Sequence, residues 1–410
     1  MFKHKLISKH QHGFLKCRSI DTNLIEALND WTLALVIDVA YIDFEKSFDS
    51  VSHDKLLCKL RSYNIIGDLF SWLQSFLSNR SQCVRIDDCT SDFITVTSGV
   101  PQGSVLGPTL FLLYINDLVD CFDDLDCVCK LYADDAKLYS SYKMSNHSID
   151  LSLALQRLTQ WAEIWQLRLS FKKCTSHKIT TVRCKNNNNT ADFSYTIGSH
   201  SNLLPWSHLV RDLGITIDDH LDFKKHISNI VHAGKSRASL ILKCFASRDP
   251  RILVKAYTTF VRPLLEFGTC IWSPHTNLLV DHVERVQRWY TKRIKGLFAL
   301  SYSERLKRLQ LDSLCVRRLK SDLIMCYKII NNLVDLDCSD FFVLTNSNRK
   351  RGHSCKLFMQ QCSLDVRKYC FANRVVEPWN HLPDHIVRAS SVSLFHKLID
   401  TVDLSGYCRY

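Results

Sequence analysis

The stretch LALVIDVAYIDF, residues 33–44, constrains this chain more than any other: β-branched, almost entirely apolar, and closed by an acid, Asp43. Such a run reads as a strand buried on both faces, because a strand with one wet face would alternate apolar and polar residues. A carboxylate at the end of a buried strand is costly unless something cationic meets it. A second acidic feature follows in LYADDAKLY, residues 131–139. Residues 128–139 read as a hairpin, with Asp134 and Asp135 expected at a two-residue tip from which both carboxylates project toward one exposed edge. Asp-Asp suits such a tip poorly, since tight hairpin turns favour Asn-Gly or Asp-Gly. A plain polar turn is the alternative to a functional one. Three clustered carboxylates would repel one another, and an oxygen-liganded divalent cation, Mg²⁺ or Mn²⁺, is the usual remedy. Two such ions about 3.5–4 Å apart activate an attacking hydroxyl and stabilise a leaving pyrophosphate oxygen. Spacing alone does not show that Asp43 and Asp134 meet.

Around these features the patterning is mixed. Leu24, Ile25, Leu28 and Trp31 fall at helical spacing over 21–32. A helix opens near Ser52 and Asp54, another lies around 70–76, and a polar loop is expected after it. A Gly/Pro-punctuated loop feeds an apolar helix in 97–118, and 149–168 reads as an amphipathic helix. From 225 onward the periodicity is helical, over 225–245, 250–265, 280–298, 302–310 and 313–332. RVVEPWNHLP (374–383) reads as a turn, and KNNNNT (185–190) as a solvated low-complexity loop. The first half is thus α+β and the second mainly α.

The chain carries a net charge of +12, which suits a polyanionic partner. Much of the excess is local: residues 281–320 hold eleven Lys or Arg against four Asp or Glu. In HVERVQRWYTKRIKG (282–296), Arg285, Arg288, Lys292, Arg293 and Lys295 interleave with apolar residues. That is the pattern of a helix packing one face and offering the other to phosphate; a solvated face is the ordinary reading. The eighteen cysteines include no CxxC pair and no zinc-finger spacing, so they read as reduced thiols of an intracellular protein. The basic start lacks the apolar core of a signal peptide, and no run of eighteen apolar residues occurs. The expectation is a protein without membrane contact, nuclear or cytoplasmic.

Three blocks in order, DFEKSFDSVSHDKLL (43–57), SGVPQGSVLGPTLFLLYINDL (98–118) and LYADDAKLY (131–139), closely resemble the reverse transcriptases of non-LTR (LINE-type) retrotransposons, the jockey-like group nearest. QHGF near the start, WAEIWQLRLSFKKC (161–174), LVRDLGITIDDHLDFKKHI (209–227), RGHSCKL and RVVEPWNHLP extend the likeness along nearly the whole chain. The resemblance implies an α+β right-hand polymerase whose palm is an antiparallel sheet with packed helices. Partial fingers would occupy 1–32, the palm 33–180, a linker and primer-grip region 181–230, a basic helical thumb 231–345, and a C-terminal region 346–410. It implies an RNA-directed DNA polymerase that extends a primer 3′-OH with dNTPs on an RNA template, with two Mg²⁺ ions and Mn²⁺ as an alternative.

The same resemblance assigns site residues. Asp43 and Asp134 are the metal ligands, Asp135 is the neighbouring acid, and the carbonyl of Phe44 also reaches a metal. Phe48 matches a steric gate against the 2′-OH, with an aromatic core residue as its alternative. Gln102 and Gly103 match the loop that lines the nascent base pair, and Arg18 a contact to template or triphosphate. Lys173 matches a lysine that protonates the departing pyrophosphate or neutralises phosphate charge. Leu213 and Gly214 match the primer-grip turn. Departures are also legible: Cys17 stands where relatives carry Gly, Ser170 where they carry Asn, and the 21–32 helix runs almost directly into the strand, which is expected to strain the approach to Asp43. Together with the missing upstream fingers segment and endonuclease, these read as an N-terminally truncated or decayed copy. Two other readings stay open on the sequence alone. One is a catalytically inert nucleic-acid-binding remnant of the same fold; the other is a protein-interaction module built on the helical half. Oligomeric state is not legible.

Overall fold

Helix α1 (Ile20–Leu33) starts at a capping box, in which the Ser19 and Thr22 side chains satisfy each other's backbone amides. Strand β1 (Val36–Ile42) follows after two residues, and Ala34 between them is ordinary extended backbone (φ −95°, ψ 159°). The computed structural model describes residues 6–142, 147–181, 194–345 and 353–408; the run at 185–190 lies outside them. The chain divides into two compact units, Met1–Asn23 with Ala34–His208, and Leu24–Leu33 with Leu209–Tyr410. The division at 208/209 falls inside the stretch read as a linker, and the stretches read as thumb and C-terminal region share one unit.

The first unit is organised by β1. After it come α2 (His53–Ser62), α3 (Gly67–Leu77), the two-residue strands β2 (Ser81–Gln82), β3 (Arg85–Ile86), β4 (Cys89–Thr90) and β5 (Ile94–Thr95), and α4 (Gly107–Ile115). The hairpin β6 (Val128–Tyr132) and β7 (Asp135–Ser141), α5 (Ile149–Trp165), β8 (Thr175–Thr180), β9 (Thr196–Ile197) and β10 (Asn202–Leu203) complete it. The main sheet is antiparallel in the order β6-β7-β1-β8. Being central, β1 buries Ile37, Val39, Ala40 and Ile42 on both faces, as its composition requires. Helix α5 contributes Leu151, Leu155, Leu158 and Trp161 to the same core as Leu131 and Leu138 of the hairpin.

One acid interrupts that strand. Asp38 is 2% exposed and accepts hydrogen bonds from the Tyr195 hydroxyl (2.5 Å) and the Tyr142 hydroxyl (3.1 Å). Burial raises its pKa against the opposing pull of Tyr195. The expected polar loop after α3 is instead a pair of exposed ribbons, β2 with β5 and β3 with β4, closed at Asp87 in a left-handed conformation (φ 51°) that Asp tolerates.

The second unit holds β11 (Leu209–Asp212) and β12 (Ile215–Asp218) as a hairpin, then α6 (Lys224–Cys244), α7 (Pro250–Phe260), α8 (Arg262–Glu266), α9 (Thr269–Trp272), α10 (Asn277–Lys292), α11 (Tyr302–Leu309) and α12 (Leu314–Ile330). The helix expected over 250–265 breaks at Val261, where Pro263 enters the next helix and withholds an amide. Residues 374–383, expected as a turn, are largely helical: Val376–Asn380 coils around Pro378, which sits in a first turn where its missing N–H costs nothing. The Leu24–Leu33 portion of α1 is held here, with Arg367 donating to the Asn29 side chain (2.8 Å). Among the described residues no helix is long and apolar enough to cross a membrane.

A buried lysine joins α2, α4 and α5. Lys59, 3% exposed, donates to Asp117 Oδ1 (2.5 Å) and to the Tyr114 carbonyl, and lies 3.6 Å from the Trp165 ring centroid. Burial pulls its pKa down to about 8, only partly countered by Asp117. Between that value and 10.5 the unfolded chain binds more protons than the folded one, so this group adds stability as pH rises through the window. In urea unfolding, the wild-type protein therefore gains on Lys59→Met as pH climbs from about 8 to 10.5. At neutral pH, Asp117→Ala costs about 3 kcal/mol by stranding the ammonium, well above the cost of Lys59→Met.

Candidate active site

Strand β1 delivers Asp43 one residue beyond its end, and the backbone there is pinned from the β8 side. The Asp43 carbonyl accepts the Ser170 amide (2.8 Å), the Glu45 amide reaches the Arg168 carbonyl (2.8 Å), and Phe44 bridges Leu169. The Phe44 ring is buried against Trp161 at 6.4 Å, which fixes the chain next to the acid. A tight turn at 170–174 follows, in which the Ser170 carbonyl accepts the amides of Lys173 (2.8 Å) and Cys174 (3.0 Å). That turn sets the Lys173 ammonium 3.2 and 3.4 Å from the two Asp43 oxygens. The Asp43 side chain is 32% exposed and that of Lys173 is 68% exposed, so the pair stands at the surface.

Asp134 comes from the hairpin, but not as expected. The two-residue turn is Ala133–Asp134, and Asp135 is already the first residue of β7, paired with Tyr132. Ala133 takes the positive φ (56°) that the first central position of a II′-type turn requires. Because Ile42 pairs with Ala136, the register carries Asp43 to the place across from Asp135, with Asp134 one step further out. The acids therefore share one end of two adjacent strands. Asp134 Oδ2 accepts a hydrogen bond at 2.5 Å from the hydroxyl of Ser47, which lies four residues after Asp43 in the turn that follows it. Ser47 is 3% exposed and escaped the sequence reading; a small polar residue in EKSFD carries no signal without the hairpin beside it.

The expected nucleotide-site residues gather on the same unit. Phe48 stacks on the buried Phe111 ring (4.2 Å, 17°) and meets Phe14 edge-on (6.2 Å). The 98–103 loop docks on it through the Val100 amide to the Phe48 carbonyl (2.9 Å) and the Gly99 amide to the Val51 carbonyl (2.8 Å). Gln102 donates to Asp49 Oδ1 (2.8 Å), and Gly103 has φ 80° at the loop tip. Arg18 is occupied locally, donating to the Gln11 carbonyl (2.7 Å) and to that of Lys9.

The remaining candidates belong to the second unit. Leu213 and Gly214 form the β11–β12 turn, with φ 45° and 93°. Arg285, Arg288 and Lys292 line one face of α10, Arg293 caps it, and Lys295 is exposed beyond. Asp281 holds Arg285 and Arg288 at 2.6 Å each, and the Arg293 guanidinium lies 3.9 Å from the Trp289 ring centroid. Together with Lys235 of α6 and Arg305 of α11, which no local pattern could have assigned, this face lines an open cavity of about 810 Å³.

Comparison with known proteins identifies the family. The family described as reverse transcriptase (RNA-dependent DNA polymerase) matches residues 1–217. The RNA-directed DNA polymerase from mobile element jockey of Drosophila melanogaster is 29% identical over 308 residues, covering 71% of this chain and 32% of that protein. Its counterpart from Drosophila funebris is 26% identical over 305 residues, with the same coverage of each chain. The chain thus spans about a third of the length of these curated relatives. Among solved structures, apo telomerase from Candida tropicalis aligns with a TM-score of 0.41 and 13% identity over 76% of this chain and 51% of that one, a likeness too distant to argue from.

Gly99 offers a direct check of the loop beside Phe48. It has φ 91°, and a Cβ there would meet the Asp49 carbonyl oxygen at 2.8 Å, a backbone atom that cannot swing aside. Gly99→Ala should cost roughly 2 kcal/mol or more in urea unfolding, combining left-handed strain with the clash.

Proposed function

The chain belongs to the reverse transcriptase family, and from that premise we propose that it is the polymerase portion of a LINE-type retrotransposon protein, extending a primer 3′-OH with dNTPs on an RNA template. What supports the reading is the placement of Asp43 and Asp134 at one end of adjacent strands, with Lys173 beside the first and Ser47 beside the second. Both acids offer oxygen alone. Among the described residues no three His, Cys, Asp or Glu side chains converge on a common point. A two-carboxylate donor set of this kind fits Mg²⁺ or Mn²⁺, which keep water and substrate phosphate in their remaining positions, rather than zinc.

Asp43 and Asp134 would hold the ions, two of them as in related chemistry, with the Phe44 carbonyl as an accessory oxygen and Asp135 as the neighbouring acid. The bound metal supplies the charge that favours the primer alkoxide and the leaving pyrophosphate. The chain's own groups do the rest. Lys173 holds an ammonium proton at Nζ near the acid that faces the triphosphate, where it can neutralise or protonate the departing oxygen. The Phe48 ring, backed by Phe111, presents a flat surface against a ribose 2′-OH. Gln102 and Gly103 line the template–nucleotide pair, and Arg18 is assigned to the nucleotide end of the site. Leu213 and Gly214 are assigned to the primer, and Arg285, Arg288, Lys292, Arg293 and Lys295 to the phosphate backbone of the template–primer duplex, where spaced cations release counterions on binding.

Primer extension by the whole chain on an RNA template, with dNTPs and Mg²⁺, tests this. Incorporation should exceed that of Asp134→Asn by at least about a hundredfold, about 2.7 kcal/mol in the barrier; equal rates reject the reading, and RNA binding without incorporation points to an inert remnant. In the same assay Phe48→Val should raise ribonucleotide use relative to deoxyribonucleotide use about tenfold or more, the size of a removed steric contact.

A further inference from the structure

We propose that Gln11 is a positioning residue of this site, whose carboxamide clamps the Ala133–Asp134 turn and so sets where the Asp134 carboxylate stands. The inference rests on the polymerase reading for its purpose, but its geometry is independent of it. Gln11 is 1% exposed. Its Oε1 accepts the Ala133 amide (2.8 Å) and the Gly13 amide (2.7 Å), while its Nε2 donates to the Ala133 carbonyl (3.2 Å). One side chain thus satisfies both backbone polar groups of the residue immediately before Asp134.

The clamp is itself held. Gln11 forms a parallel bridge with Leu131, flanked by the His12 amide to the Leu131 carbonyl (2.8 Å) and the Leu131 amide to the His10 carbonyl (2.9 Å). Arg18 donates to the Gln11 carbonyl (2.7 Å). Gly13 closes the fit, since a Cβ there would lie 2.4 Å from the Ala133 nitrogen. The QHG of the N-terminal motif is therefore an added edge to the hairpin, lying against the turn.

Its need follows from Ala133. An alanine at φ 56° costs about 1 kcal/mol that glycine would not, and such a conformation persists only where its surroundings over-determine it. Glutamine is suited to the task because it offers an acceptor to two amides and a donor to one carbonyl. Glutamate lacks the donor, and methionine, of similar size, lacks both functions. With Ala133 fixed, Asp134 emerges in one direction, toward the Ser47 hydroxyl. Groups that orient a metal ligand are typically worth about 10–100-fold in metal affinity.

The test is Mn²⁺ binding by the whole chain, read as free Mn²⁺ by electron paramagnetic resonance, alongside primer extension and circular dichroism. Asp134→Asn defines the site by the Mn²⁺ it fails to bind. Gln11→Met should weaken that binding about tenfold while leaving the circular dichroism unchanged. Ala133→Gly added to Gln11→Met should recover most of the loss, because glycine holds a positive φ without the clamp; a general loss of packing would not be rescued. If Gln11→Met does not fold, Gln11→Glu, which keeps the acceptor and loses the donor, takes its place with the same expectation. Mn²⁺ affinity within twofold of wild type in a folded Gln11 variant overturns the proposal, as does a loss that Ala133→Gly leaves untouched, or the absence of any Asp134-dependent Mn²⁺ site in the wild type. A wild type that binds Mn²⁺ as described but makes no DNA sinks the polymerase reading and leaves the role of Gln11 standing. A wild type that makes DNA while Gln11→Met binds Mn²⁺ normally does the reverse.

Discussion

A strand buried on both faces cannot carry charge along its length without partners, yet it can carry charge off its end. Strand β1 obeys that rule twice. Within the strand, Asp38 is met by the hydroxyls of Tyr195 and Tyr142, with the Lys178 charge on the neighbouring strand adding to them. At its end, Asp43 emerges where the sheet stops and water begins, with an ammonium beside it. The central position of β1 fixes both neighbours. On one side β7 brings the Asp134 turn, and on the other β8 brings the turn that carries Lys173. Sheet order thus sets the two acids at one end of adjacent strands, and nothing in the local sequence of either segment would produce that.

The parts of this arrangement that were legible are those written locally. The apolar run announced β1, the 3.6-residue spacing announced α1, α5, α6 and α12 to within a few residues, and the basic face of α10 followed from Arg285, Arg288 and Lys292 recurring at three and four. Strand ends were less legible: Leu33 to Leu35 look like strand, but Leu33 is the last residue of α1, and Ala34 and Leu35 connect it to β1. The hairpin tip was misplaced by one residue for a physical reason. Turn rules see two acids and no glycine, whereas the native turn seats Ala133 in the glycine position because Gln11, more than a hundred residues earlier, holds its backbone. Ser47 and Asp38 were missed likewise, since what distinguishes them is a partner from another strand or loop.

Where this chain departs from its relatives, the question is what each departure removes. Ser170 serves Asp43 and Lys173 through its amide and its carbonyl, backbone groups that any residue other than proline would offer, so the side chain expected to depart from the family pattern spares the contact that shapes the turn. The abrupt passage from α1 into β1 introduces no strain: Ala34 is plainly extended and no residue between Ile20 and Asp43 takes a positive φ. Cys17 differs. It sits at φ 64°, where glycine would be free and a cysteine costs about 1 kcal/mol. That strain lies one residue from Arg18, which braces Gln11. The strain thus falls on the backbone beneath the clamp, at a distance in the chain from the carboxylates, so it bears on the setting of Asp134 through Gln11 and leaves the acid itself unchanged.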